Sequence, residues 1–395
     1  MSRLRKLEGS ARRIWPPLFL CLVVLASWAI VEGLDSDLYT RITVRMFILL
    51  IVVLGLQIFS GNSGVLSFGH IAFMSVGAYA SALLTIPTAI KEFTFLTMPN
   101  FLKSWIFPAE LGTLEGTLAG AGFAMVFALL TAPAIVRLGG VQAGIGTLAI
   151  LVIVNVFTVQ TSSITRGTST MIGVPDTTTF VQVTVWALIF VAVAFAFQQS
   201  RFGLRLRASR ENRSAARSVG VRVPVERAIA WTISGFVVGV AGALYGHYFV
   251  TFSPFDFYFD ITFLTIAMLI VGGMTSVSGA VVGVFFITFV NELFRRWEVE
   301  GAMGVQPPSG TASLVLAFVL LVTLILRPKG ITGGKEIPWP GDWRVRGWLR
   351  RPSAAVAGAP GERGPAAPEG SASAEASRAE TTSNRGPKAE ALPKE

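Results

Sequence analysis

Two histidines and one cysteine in 395 residues leave this chain with almost no metal-binding or nucleophilic equipment. The single Cys21 rules out an intrachain disulfide and any multi-cysteine metal site, and its place in an apolar run makes a packed, inert thiol the default reading. No G-x-S-x-G turn, H-E-x-x-H helix or cysteine–histidine cluster occurs, so no catalytic residue is assigned and no metal site is expected. The phosphate loop G-x-x-x-x-G-K-[ST] is missing too, so any ATP used must be bound by another chain and no cofactor belongs to this one. Charge is also scarce, 14% against 52% hydrophobic residues, and the apolar runs are repeatedly long enough to cross roughly 30 Å of hydrocarbon. That composition describes an all-α, polytopic membrane protein rather than a soluble enzyme. A net charge of +10 would suit nucleic acid, but the basic residues gather at the ends of apolar runs, as orientation signals do, and no nucleic-acid partner is expected.

Apolar length and flanking charge place ten spans near residues 16–33, 44–60, 65–86, 117–136, 141–161, 181–197, 229–249, 261–274, 277–293 and 311–326. The pair between 261 and 293 is the least regular, because Gly272-Gly273 and Ser278-Gly279 interrupt it. The basic N-terminus before the first run has the layout of a signal peptide, with Ser27 and Ala29 as a small-residue pair, but the many later spans favour an uncleaved first helix. Arg3, Arg5, Lys6, Arg12 and Arg13 assign the N-terminus, residues 1–15, to the cytoplasm. Ten spans then return the arginine-rich loop 200–228 and the C-terminus to that side. Arg41 and Arg45 fall on the other side and are outvoted. Residues 16–333 form the expected membrane domain. From 334 to 395 the composition turns to Pro, Ala, Gly, Ser and Glu, which cannot bury a core and predicts disorder. Its first part, WPGDWRVRGWLRR, reads as a solvated linker, with contact to anionic membrane lipid as the alternative.

The span interiors hold almost no Asp, Glu, Lys or Arg, so the intramembrane carboxylates of ion-coupled transporters are missing. His70 is the one candidate proton carrier, although a histidine bonded within the bundle is the commoner case. It lies in residues 61–80, GNSGVLSFGHIAFMSVGAYA, a glycine-rich polar interruption that a bilayer tolerates only where protein shields it or it lines a watery cavity. A solute path is therefore expected there. In the arginine-rich loop, the sequence predicts one short helix over 209–219, stopped by Gly220. Positive-inside charge explains its arginines as well as docking to a soluble partner does. Gly235, Gly239, Gly242 and Gly246 are spaced for close helix packing, and residues 271–283 for a tight re-entrant turn.

Taken together, GNSGVLSFGHIAFMSVGAYASALL, TRGTSTMIGVP, SRFGLRLRASRENRSAARSVGV, SGFVVGVAGALYGHYFVTFSPFDF, VGGMTSVSGAVVG and LRPKGITG resemble, in order, the LivM-type permease of branched-chain amino-acid ABC importers. The resemblance covers about residues 44–333. It implies a type II importer-like bundle of about ten helices in the bacterial inner membrane. The implied partners are a second, LivH-like permease, two cytoplasmic LivG/LivF-like ATPases that use ATP, and an extracytoplasmic solute-binding protein. By the same resemblance, Asn62, Ser67, His70 and Phe73 would border the translocation path. Arg210, Glu211, Asn212, Ala215, Ala216 and Gly220 would couple to the ATPase, and Pro175, Ser253 and Pro254 would lie where the binding protein docks. Two departures stand out: Arg213-Ser214 and Arg217-Ser218 replace an acidic, alanine-rich run, and the tail beyond Gly333 has no counterpart in the pattern. Urea, short amides and aromatic acids remain alternative cargoes, and an ion-coupled transporter remains the rival class.

Overall fold

The computed structural model describes residues 2–301, 308 and 310–337, all within the unit Met1–Trp343. The predicted disorder beyond residue 337, and the lipid-or-linker alternative for WPGDWRVRGWLRR, lie outside the described residues. In chain order the helices are α1 (Ser2–Leu34), α2 (Asp37–Leu56), α3 (His70–Thr85), α4 (Thr88–Thr94), α5 (Asn100–Ile106), α6 (Thr113–Ile135), α7 (Gly140–Gln160), α8 (Ser162–Thr165), α9 (Phe180–Gln199), α10 (Arg201–Glu211), α11 (Arg213–Ser218), α12 (Val223–Phe249), α13 (Phe259–Gly272), α14 (Val277–Glu300) and α15 (Thr311–Leu326). A π-turn, Gln57–Gly61, extends α2, and a 3₁₀ turn, Pro254–Phe257, precedes α13. Among the described residues the one extended pairing is an isolated bridge between Met171 and Phe252.

Each predicted span coincides with a helix. Among the described residues eight helical segments are long and apolar enough to cross a membrane, α13 together with its 3₁₀ turn; α3 qualifies only when joined to α4 across a 114° bend, and α15 is a shorter apolar helix of 16 residues. The irregular region 261–293 resolves into two helices, α13 and α14.

Position in the bundle follows from apolar pattern. Phe47 through Leu54 form an unbroken hydrophobic run, and all are essentially buried, as expected of a helix enclosed on every side. α2 is thus the central post. α6 and α7 instead keep exposed Phe123, Leu130, Val141 and Ile153, a surface suited to lipid or another membrane subunit. Around the post, α3, α6 and α12 approach backbone to backbone: a Cβ on Gly239 would come 2.5 Å from Ala124 Cβ, and one on Gly120 would come 2.5 Å from the Gly77 carbonyl oxygen. The small-residue spacing seen in the sequence is therefore packing geometry. Gly272 and Gly283 join α13 to α14 in the same way, because a side chain on either would meet the other helix's backbone.

Three corrections bear on function. The single helix expected over 209–219 is two helices, because Asn212 leaves helical geometry and its Oδ1 accepts from the Ser214 and Ala215 amides, each at 3.0 Å, to start α11. The polar interruption is not mid-span: α2 and its π-turn run 25 residues, Asp37–Gly61, so the break begins at the end of the bundle that carries α10 and α11. The boundary drawn between 333 and 334 cuts an ordered strap, since the Gly334 carbonyl and the Glu336 carboxylate are bonded to the turn before α14 and to its first residues.

Candidate functional site

The site grows from the end of α2. The π-turn leaves carbonyls without ladder partners, and the Asn62 side-chain amide closes it by donating to Gln57 O at 3.2 Å and Ile58 O at 3.0 Å. The chain then runs without helix from Gly64 to Gly69. Gly64 takes φ +70°, and Gly69 presses against the Thr147 backbone so closely that any side chain would collide. Thr147 on α7 fixes this stretch by accepting from the Phe68 amide at 3.0 Å.

His70 opens α3 and is fully enclosed. Ser234 Oγ donates to the Trp231 carbonyl at 2.8 Å, so its lone pairs are free to accept from His70 Nε2–H at 3.0 Å. On the other side Ser67 Oγ accepts from the Gly69 amide and lies 2.8 Å from Nδ1, to which it donates. This network assigns the neutral Nε2–H tautomer. Phe59, Phe73 and Trp231 surround the ring with centroids 5.7, 5.7 and 4.9 Å away. Trp231 in turn donates to Thr131 on α6 at 3.1 Å. Ser67, His70 and Phe73 are thus brought together in one buried region, as a helix-to-helix tie rather than an open proton relay, while Asn62 is buried at the π-turn, bonded to Gln57 and Ile58.

Around the same break, beside Asn62, are groups the sequence did not single out. Both polar atoms of Gln57, the hydroxyl of Ser60 and Oδ1 of Asn62 are buried without a partner, as is Oε1 of Gln198 on α9. Native interiors rarely leave such groups unpaired, so a site with several is chemically poised to take a polar ligand or water. The second break, residues 273–276 between α13 and α14, touches the first: a side chain on Gly61 would strike the Met274 carbonyl oxygen.

The arginine-rich loop is bonded to the first break and is linked to the second through Gln198 of α9. Arg210 Nη1 donates to the Gly61 carbonyl at 2.8 Å, while Nη2 pairs with Glu211 at 2.8 Å. Gln198 donates to the Thr275 carbonyl at 3.4 Å, and Arg207 donates to the Gln198 carbonyl at 3.1 Å. Burial and the neighbouring Arg210 hold the Arg207 guanidinium below its ordinary pKa, with Glu336 opposing. Of the residues expected to face a soluble partner, Glu211, Asn212, Ala215 and Gly220 are exposed and Arg210 is partly covered. Ala216 is buried inside the subunit, because α11 turns it inward, so it presents no docking surface. The exposed apolar tip is Val219, followed by Gly220 at φ +85°.

At the opposite end, Pro175 is half-buried and its carbonyl accepts from His247 Nδ1–H at 3.2 Å, while Ser81 donates to Nε2 at 2.8 Å. Ser253 caps the 3₁₀ turn through Asp256. Pro254 is buried, its carbonyl taken by Asn155 at 3.1 Å, and the accessible residue there is Phe255. Nearby Lys91 is fully enclosed and donates to the carbonyls of Ile106 at 2.9 Å and Ala109 at 2.5 Å. Burial lowers its pKa to about 8, against an opposing pull from Glu110. A separate apolar cleft of about 970 Å³ between α3, α5, α6 and α7 is lined by none of Asn62, Ser67, His70 and Phe73.

A profile of the family described as "Branched-chain amino acid transport system / permease component" matches residues 38–325. The high-affinity branched-chain amino acid transport system permease protein LivM of Salmonella typhimurium is 24% identical over 359 residues, 82% of this chain and 76% of that protein. The probable branched-chain amino acid transport permease protein LivH of Methanocaldococcus jannaschii is 38% identical over 65 residues, 16% of this chain and 21% of that protein. The chain thus matches only about a fifth of the LivH protein's length. No solved structure matches it.

Proposed function

The chain belongs to the family of permease components of branched-chain amino-acid transport systems, and from that premise we propose that it is one permease subunit of an ATP-driven importer for leucine, isoleucine, valine or a related small polar solute. A second, LivH-like permease would complete the path, two cytoplasmic LivG/LivF-like ATPases would drive it, and an extracytoplasmic binding protein would deliver cargo beside Pro175, Ser253 and Phe255. Both termini and the loop holding α10 and α11 would face the cytoplasm of a bacterial inner membrane, with the loop arginines as the orienting charge.

The observation that carries this reading is the Arg210–Gly61 bond. A helix on the loop of an ATP-driven permease must pass displacement to the path, and here the loop holds the last carbonyl of the π-turn directly. Movement of α10 would pull on Gly61 and free Gln57, Ser60 and Asn62 to meet the charged ends of an amino acid with neutral donors and acceptors. A nucleotide can shift this equilibrium only by binding the two arrangements unequally, so the ATPases must favour one position of α10. The rival, an ion-coupled carrier using His70, is disfavoured because Ser67 and Ser234 already engage both ring nitrogens.

The test is uptake of labelled leucine into vesicles holding this chain with its partner permease, ATPases and binding protein, repeated with His70→Gln. Uptake that requires ATP and this chain, with a pH profile unchanged in the variant, is the expected result. Uptake persisting without the ATPases would contradict the reading, and uptake whose pH dependence vanishes with His70→Gln would install the rival. Binding-protein-stimulated ATP hydrolysis without leucine uptake would point to urea, amides or aromatic acids.

A further inference from the structure

After α15 the chain does not leave the bundle. Residues 327–337 fold back as a strap over the turn between α13 and α14, at the end of the bundle that carries α10. The Ile331 amide donates to the Val271 carbonyl at 2.8 Å, and the Thr332 amide and hydroxyl donate to the Gly272 carbonyl at 3.2 and 2.9 Å. These are the carbonyls that the end of α13 leaves without helical partners. Beyond them, Thr275 Oγ1 donates to the Gly334 carbonyl at 3.0 Å. Glu336 then closes the other side of the turn. Its Oε1 accepts from the Val277 amide at 2.8 Å, and its Oε2 accepts from the Ser278 amide at 3.0 Å and the Ser278 hydroxyl at 2.5 Å. Two of the first unpaired amides of α14 are satisfied by one carboxylate, whose charge suits the positive end of that helix.

The strap therefore fills both sides of one helix break, while Arg210 fills the end of the other. The breaks touch through Gly61 and Met274, and α10 reaches the second break as well, through Arg207, Gln198 and the Thr275 carbonyl. Arg207 also lies within electrostatic reach of Glu336. With the strap closed, the α13–α14 turn and residues 331–336 are held as one body, so a displacement of α10 passed on through Arg207, Gln198 and the Thr275 carbonyl moves turn and strap together.

We propose that the strap is a second coupling element of the permease and that Glu336 is its positioning residue, locking the α13–α14 turn to the loop helix so that both breaks move in one step. The proposal rests on the ATP-driven permease reading and adds to it a defined route to α13 and α14. It assigns residues 327–337 to the coupling machinery.

The experiment measures solute transported per ATP hydrolysed in proteoliposomes of the whole assembly, comparing the full chain with Glu336→Ala, Glu336→Asp, a chain ending at Ile337 and a chain ending at Gly333. Loss of a coupling contact on the usual scale predicts a ratio lower by about 5- to 10-fold for Glu336→Ala and for the Gly333 end, with hydrolysis itself retained. Glu336→Asp recovers part of the ratio, and the chain ending at Ile337, which keeps the whole strap, has a higher ratio than the chain ending at Gly333. A normal ratio for Glu336→Ala, or a parallel fall of hydrolysis and transport that leaves the ratio unchanged, overturns the proposal. Should the Gly333 chain fail to assemble, hydrogen exchange at the Val277 and Ser278 amides in full-length Glu336→Ala decides. Faster exchange than in the unaltered chain is required, and unchanged exchange overturns the strap. Failure of the unaltered assembly to transport with ATP would instead overturn the permease reading itself.

Discussion

His70 shows why a polar residue in an apolar run can be found from sequence while its role cannot. Its isolation among hydrophobic neighbours marks it at once, but its partner Ser234 lies 164 residues away, so the neutral, doubly bonded ring becomes visible only in three dimensions. Gln57, Gln198 and Glu336 escaped notice for the same reason: what distinguishes them is an absent or distant partner, not a local pattern. Lys91 offers the clearest residue-level test, because its environment shifts proton binding. The folded chain releases the Lys91 proton near pH 8, whereas the exposed side chain of an unfolded chain holds it to about 10.5. Between those values the unfolded state binds more protons, so stability must rise with pH through that window. We predict that the thermal midpoint of the purified protein climbs from pH 8 to 10 relative to Lys91→Met, which removes the titrating group. A variant with the same pH slope as the parent would show that Lys91 is not the source.

At the scale of elements, the spans were legible because each is a long apolar run with charge at its ends, and every one became a helix. Boundaries set by single side chains were not. Asn212 splits the loop helix by capping α11, which no apolar period announces, and the resulting rotation buries Ala216 while leaving Val219 at the tip. The depth of the polar break was misplaced because α2 continues through its π-turn to Gly61, carrying the break toward the loop. This geometry separates two tasks for the loop. Val219→Asp places a charge on the exposed apolar tip, so ATPase co-purification should fall while the fold persists. Arg210→Ala removes the tie to Gly61 but leaves the tip intact, so co-purification should persist while transport falls by about 5- to 10-fold, the scale of a single coupling contact. Loss of co-purification in Arg210→Ala alone would place Arg210 in the docking face instead.

For the molecule as a whole, membrane class, helix order and family could be read from composition and motif order. The joining of the two breaks to each other and to α10 could not, because it depends on backbone contacts at Gly61 and Met274 that carry no sequence signature beyond a glycine. The central claim is that this junction is the moving part of an ATP-driven path. Because Cys21 is the chain's one cysteine, Cys21→Ser gives a background in which Ser60→Cys and Ser67→Cys can be probed singly. The most direct measurement is the rate at which a membrane-impermeant thiol reagent modifies each site in the reconstituted assembly, with and without ATP. The account predicts that both sites, buried in the structure described here, become reactive in one nucleotide state and are protected in the other. Sites that stay unreactive in every nucleotide state while the assembly transports leucine would contradict it.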